Sequence, residues 1–189
     1  MTLVDLDRLF RLFARAKALC QHSDYVVVGS NSVMALAPHT SIPAEMTMSI
    51  DVDAFTRADP GRIFDLADSL GEHSAFSQRE GFYLDPVRPS LPTLPAGWES
   101  RLIPVERDGV RIFFLDPDDA AISKYARGEP RDHRWIRAGV AGNIISLPRV
   151  KQRLSSTRFA DEDERTRAHS QVDKDHKWLV SLNKPAHKP

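Results

Sequence analysis

The chain has 189 residues, of which 41% are hydrophobic and 28% charged, so it is long enough to bury a core and too apolar for wholesale disorder. Its 26 basic and 26 acidic residues cancel, which excludes nucleic-acid binding through overall charge and leaves only a local patch for that role. The single Cys20 excludes an intramolecular disulfide and fits a reducing, cytoplasmic setting. No apolar run approaches the ~20 residues of a bilayer span, and the charged first helix is unlike a signal peptide, so no membrane partner is expected.

In chain order, Asp5 to Gln21 reads as an amphipathic helix, with Leu6, Leu9, Phe10, Phe13 and Ala16 on one stripe and a solvated basic side opposite. Tyr25-Val26-Val27-Val28 is a buried strand that breaks at Gly29-Ser30, and a short helix over Asn31–Ala37 is ended by Pro38. A loop at 38–47 leads to Ser49-Ile50-Asp51-Val52-Asp53-Ala54-Phe55. Its period-two alternation predicts a strand with Asp51 and Asp53 on one face and Ile50, Val52 and Ala54 on the other. Asp59-Pro60 opens a helix that carries Ile63, Phe64, Leu66, Ala67 and Leu70 and stops at Gly71.

Gly81 to Pro86 reads as a third strand, with Phe82 and Leu84 facing opposite to Tyr83 and Asp85. A proline-rich loop then reaches Trp98. Arg101–Glu106 and Val110–Leu115 flank Asp108-Gly109 as a hairpin, and Pro104 makes its first arm irregular or an edge. From Asp116 the pattern is helical: Asp116-Pro117 to Gly128, a helix from near Pro130, a third over Leu147–Leu154, and a highly charged one over Asp161–Leu182. The expected class is α+β, a mixed sheet with flanking helices over 1–115, a C-terminal helical region over 116–183 and a disordered tail at 184–189.

Asp51 and Asp53, two apart on one strand face, have Cα atoms roughly 6.5 Å apart and can converge on a metal pair. Mg²⁺ takes hard oxygen ligands, and two such ions ~3.5–4 Å apart clamp the attacking and leaving oxygens in phosphoryl transfer. Asp85 is a third metal ligand if its strand lies beside that of Asp51. Gly29 lets backbone approach a triphosphate, and the Ser30 hydroxyl can bond a terminal phosphate. The plainer reading of both pieces is an exposed polar strand face and a common turn. The histidines lack zinc-ligand spacing, Ser30 lacks a nucleophile-elbow context, there is no Walker-type run, and Trp98, Trp135 and Trp178 read as core or interface anchors.

Val28-Gly29-Ser30 followed by Ser49-Ile50-Asp51-Val52-Asp53 resembles the signature of the DNA polymerase beta-like nucleotidyltransferase superfamily. Gly81-Phe82-Tyr83, Leu94-Pro95-Ala96-Gly97-Trp98, Arg101-Leu102 and Leu115-Asp116-Pro117-Asp118-Asp119 leading to Ser123-Lys124 resemble a bacterial branch of minimal nucleotidyltransferases. Many of that branch are encoded near toxin–antitoxin or abortive-infection modules. The resemblance covers about residues 25–140. It implies a nucleotidyltransferase-like fold and a Mg²⁺-dependent enzyme moving a nucleoside monophosphate from an NTP such as ATP to an RNA, protein or small-molecule acceptor, within a toxin–antitoxin system. By the same resemblance Asp51, Asp53, Lys124 and Asp132 are catalytic, and Gly29, Ser30 and Lys124 bind the nucleotide. Asp132 would orient Lys124 or the acceptor, or act as a base; by residue type alone the two read equally as a structural ion pair. Two departures from the pattern are a longer interval between Ser30 and Asp51 and Arg131 where relatives often carry Lys. The alternative is a catalytically inactive module that docks a toxin or antitoxin partner through the charged helix at 161–182. A third reading, an RNA-acting enzyme, draws on Arg127, Arg131, Arg134 and Arg137.

Overall fold

Five strands, β1 (Asp24–Val27), β2 (Asp51–Thr56), β3 (Tyr83–Pro86), β4 (Ile103–Arg107) and β5 (Val110–Phe114), form one mixed sheet in the order β3-β2-β1-β5-β4. The structure is a computed structural model and describes residues 4–182, so the tail expected at 184–189 lies outside the described residues. β1 runs antiparallel to β2 and parallel to β5, while β2 and β3 are parallel and β4 and β5 form the hairpin. Asp108 (φ 51°) and Gly109 (φ 69°) both take the left-handed conformation that a two-residue hairpin turn requires. Pro104 sits in β4, an outer strand, where a residue without an N–H is tolerated.

The helix α1 (Leu6–Cys20) starts at Asp5, whose side chain accepts from the Arg8 amide at 2.8 Å, and closes at Gln21 in a left-handed conformation. Its stripe of Leu9, Phe10, Leu12, Phe13 and Ala16 is buried, and Phe13 stacks on Tyr25 of β1 with centroids 4.5 Å apart. The segment expected as a helix after Gly29-Ser30 is a 3₁₀ helix, Ser30–Leu36. The one expected from Asp59 begins as a 3₁₀ helix, Pro60–Leu66, and becomes α-helical only in α2 (Ala67–Leu70). An unexpected α3 (Ala75–Glu80) follows, capped by Ser74 and buried through Phe76. At six residues it is too short to display a period. Gly81, at φ 75°, closes α3 instead of opening the third strand.

Four helices complete the chain: α4 (Pro117–Arg127), α5 (Pro130–Ala141), α6 (Leu147–Leu154) and α7 (Glu162–Leu182). α4 packs against α5, α6, α7 and the Ser30–Leu36 segment, so its charged residues are enclosed and need partners. Asp118 accepts from Arg149 Nε at 2.5 Å and the Ser146 amide at 2.7 Å. Asp119 accepts from Arg101 Nε and Arg153 Nη1, both at 2.8 Å, and Arg153 also reaches Asp116 at 2.6 Å. The acidic run after Leu115 therefore docks α6 and the segment around Arg101 onto α4. α7 buries Ala168 and Val172, and its Asp175 accepts from Tyr125 Oη at 3.0 Å and Arg137 Nε at 2.9 Å. Among the described residues no helix is long and apolar enough to cross a membrane.

Candidate active site

The parallel register of β2 and β3 sets Asp53 opposite Asp85 and Asp51 opposite Tyr83. Strand alternation keeps Val52, Ala54 and Leu84 fully buried on the far face and turns Asp51, Asp53 and Asp85 to the near one. One oxygen from each carboxylate lies within 4.8 Å of the others, a donor set that can hold a metal ion. Burial and the charges of Asp51 and Asp85 push the Asp53 carboxyl up to about 7. Asp85 is raised as well, by burial, Asp51 and Glu72. Two further side chains steady this edge: Ser49 Oγ donates to the Asp51 carboxylate, and Asn31 Nδ2 donates to the Asp51 carbonyl at 2.8 Å. Ile50, expected on the strand face opposite the carboxylates, precedes the strand, is 38% exposed and lines the cavity beside them.

Gly29 (φ 67°, ψ −152°) leaves β1 directly against Asp53. A Cβ on Gly29 would stand 2.0 Å from Asp53 Oδ2, so only glycine fits between this turn and the carboxylate. The Val28 amide donates to the Asp53 carbonyl at 2.9 Å, and the Asn31 bond fixes the other end of the turn. The long interval between Ser30 and Asp51 thus loops away without separating the two motifs.

Ser30 Oγ accepts from Lys124 Nζ at 2.9 Å. Lys124 is buried, stands 4.7 Å from the centre of the Trp135 ring and lies 3.4 Å from Asp132 Oδ1. Asp132 also accepts from Arg127 Nε at 2.8 Å, Arg127 Nη2 at 2.6 Å and the Glu129 amide at 3.2 Å. Burial acts to raise the Asp132 carboxyl, but the Arg127 hydrogen bonds and the Lys124 charge outweigh it and hold it below the ordinary range. Each of its two oxygens thus accepts from two donors. Burial lowers Lys124 from its ordinary value, against the opposing pull of Asp132 and Asp53.

Two cavities meet here. One of ≈ 530 Å³ reaches from Asp51, Ser30 and Lys124 to Arg131 and Arg134 on α5, and one of ≈ 440 Å³ extends over Gly29 toward Thr93 and Arg167. Both include Asp53, Lys124 and Arg127. The sequence did not single out Ser49, Asn31 or Trp135 as parts of this site, since only their through-space neighbours mark them. Arg127 stands three residues from Lys124, a helical spacing that could have placed it beside that lysine.

Residues 7–182 match the profile of a protein family described as a nucleotidyltransferase of unknown function (DUF6036). The chain belongs to this nucleotidyltransferase family. No curated protein and no solved structure matches it. The family match takes in α1 and α7 as well as the stretch that carries the motifs, so in this nucleotidyltransferase family the charged terminal helix is part of the shared chain.

Proposed function

We propose that the protein is a Mg²⁺-dependent enzyme that moves a nucleoside monophosphate from an NTP to an acceptor hydroxyl. The observation that carries this reading is the convergence of Asp51, Asp53 and Asp85 beside the Ser30–Lys124 hydrogen bond. The three carboxylates suit a hard divalent cation: they are all-oxygen donors, and Asp53 is held back from ionising only by burial and its acidic neighbours. A bound Mg²⁺ pair would supply charge neutralisation at the attacking and leaving oxygens.

The remaining roles belong to side chains of this protein. The acceptor oxygen bonds the α-phosphorus as its proton is released, the bond between the α-phosphorus and the bridging oxygen breaks, and pyrophosphate leaves. Ser30 and the Gly29 backbone bind the phosphates, Lys124 neutralises charge developing on the leaving group, and Asp132 orients Lys124 and Arg127. The acceptor is an RNA, a protein hydroxyl or a small molecule, and the toxin–antitoxin setting rests on the resemblance alone. No observation favours the inactive module. Its carboxylates, serine and lysine are all present and together, and α7 turns Ala168, Val172 and Asp175 inward.

The decisive experiment incubates the protein with each labelled NTP, Mg²⁺ and a cell lysate. A labelled acceptor is expected with the wild type and none with Asp53→Ala at unchanged folding, whereas full activity in Asp53→Ala overturns the mechanism.

A further inference from the structure

Four cations line the larger cavity, and they are not equivalent. Lys124 and Arg127 both point their charge at Asp132. Arg137, further along α5, is engaged by the buried Asp175 and does not line the cavity. Arg131 and Arg134, one turn apart on α5, are exposed, line the cavity and make no ion pair among the described residues. Among the described residues, the patch of four arginines visible in the sequence is therefore reduced to two without an ion pair, both lining the cavity that holds Ser30 and Lys124.

The order of the sheet sets a direction for the reaction. Attacking and leaving oxygens lie roughly in line across the transferred phosphorus. Asp85 is on β3, Asp51 and Asp53 are on β2, and Gly29-Ser30 follows β1 on the other side. An α-phosphate held over the carboxylates with its tail on Ser30 and Lys124 would receive the acceptor from the β3 side and release its leaving group toward α4 and α5. Lys124, Arg127 and Asp132 together carry one net positive charge, too little for a leaving diphosphate. Arginine forks match phosphate oxygens in pairs and stay charged at any physiological pH.

We infer that Arg131 and Arg134 bind the β- and γ-phosphates of the nucleotide, making this cavity the seat of the leaving diphosphate and not of an RNA acceptor. The inference rests on the nucleotidyltransferase reading, and it assigns to Arg131 and Arg134 the task of selecting triphosphates over shorter nucleotides.

The test is calorimetric titration of the full chain in Mg²⁺ with the α,β-methylene analogues of the four NTPs, the matching monophosphates, inorganic triphosphate and a single-stranded oligoribonucleotide. Arg131→Gln/Arg134→Gln lies on an exposed helix face, and an unchanged melting temperature verifies its fold. Wild type is expected to bind the triphosphate analogue and inorganic triphosphate more tightly than the monophosphate. The double variant should lose roughly ten-fold or more for both triphosphates and keep its monophosphate affinity. Equal triphosphate affinity in variant and wild type, or a loss confined to the oligoribonucleotide, overturns the inference while leaving the nucleotidyltransferase reading intact. A wild type that binds no triphosphate in Mg²⁺ overturns both.

Discussion

Gly29 and Asp53 are packed so closely that a single methyl group on the glycine would stand 2.0 Å from the aspartate Oδ2. The two residues come from separate motifs, yet one cannot change without moving the other. Gly29 also has φ 67° and ψ −152°, a conformation that only glycine adopts without strain. Gly29→Ala is therefore expected to destabilise the protein by several kcal/mol and to displace Asp53. Thermal melts and Mn²⁺ titration check this: the variant should melt lower and bind the cation at least ten-fold more weakly, even where it remains folded.

The raised Asp53 carboxyl makes stability depend on pH in a defined direction. Its folded value of about 7 lies above the ordinary carboxylate value near ~3.9, so between these limits the folded state binds more protons than the unfolded one. Without a bound cation, its contribution is fully present below pH ~4 and is lost as pH rises through about 7. The loss is on the order of a few kcal/mol. Urea melts from pH 5 to 8 should show stability falling with pH in wild type, a flatter profile in Asp53→Asn, and recovery at pH 8 on adding Mg²⁺.

Asp132 should matter through the cations it holds. It is fully buried and accepts from Lys124, Arg127 and the Glu129 amide. Asp132→Asn leaves Lys124 as a buried cation facing a neutral amide and is expected to cost about 3 kcal/mol. Adding Lys124→Met should restore part of that stability, because the uncompensated charge is gone. A double-mutant cycle by urea denaturation measures the coupling, and strict additivity of the two losses would refute the pairing.

Asp119 separates structural from chemical roles among the acidic residues. It sits beneath Arg101 and Arg153 and lines neither of the cavities that meet at Asp53. Asp119→Ala is expected to destabilise by roughly 3–5 kcal/mol, because Arg153 loses one of its two carboxylates and α6 loses an anchor. Nucleotide binding by the folded fraction should be unchanged. Titration at low temperature, where the variant stays folded, provides the measurement.

The α+β class, the Asp51–Asp53 face, the hairpin at Asp108-Gly109 and the helix over Leu147–Leu154 were all legible in the sequence. Each depends on a local cause: strand alternation, a turn needing two left-handed residues, or a capped amphipathic run. Local pattern misjudged the segments at 31–37 and 60–66, where the chain winds into 3₁₀ turns, and it missed α3, which is too short to show a period. The third carboxylate was conditional on strand order, and the parallel register that sets Asp85 opposite Asp53 is a non-local pairing that composition and spacing do not encode.

The same limit governs the charges. The sequence by itself determined which acids and bases exist and that Asp51 and Asp53 share a face. Only the tertiary structure decided their partners: Asp118 and Asp119 to the arginines that dock α6 and the segment around Arg101, Asp132 to Lys124 and Arg127, and Gly29-Ser30 back to the carboxylates across a long loop. The physical reason is that charge pairing and close backbone approach depend on distances between segments far apart in the chain. Those distances are set by the order of the strands and by the packing of α4 against α5, α6, α7 and the Ser30–Leu36 segment, not by any local run of residues.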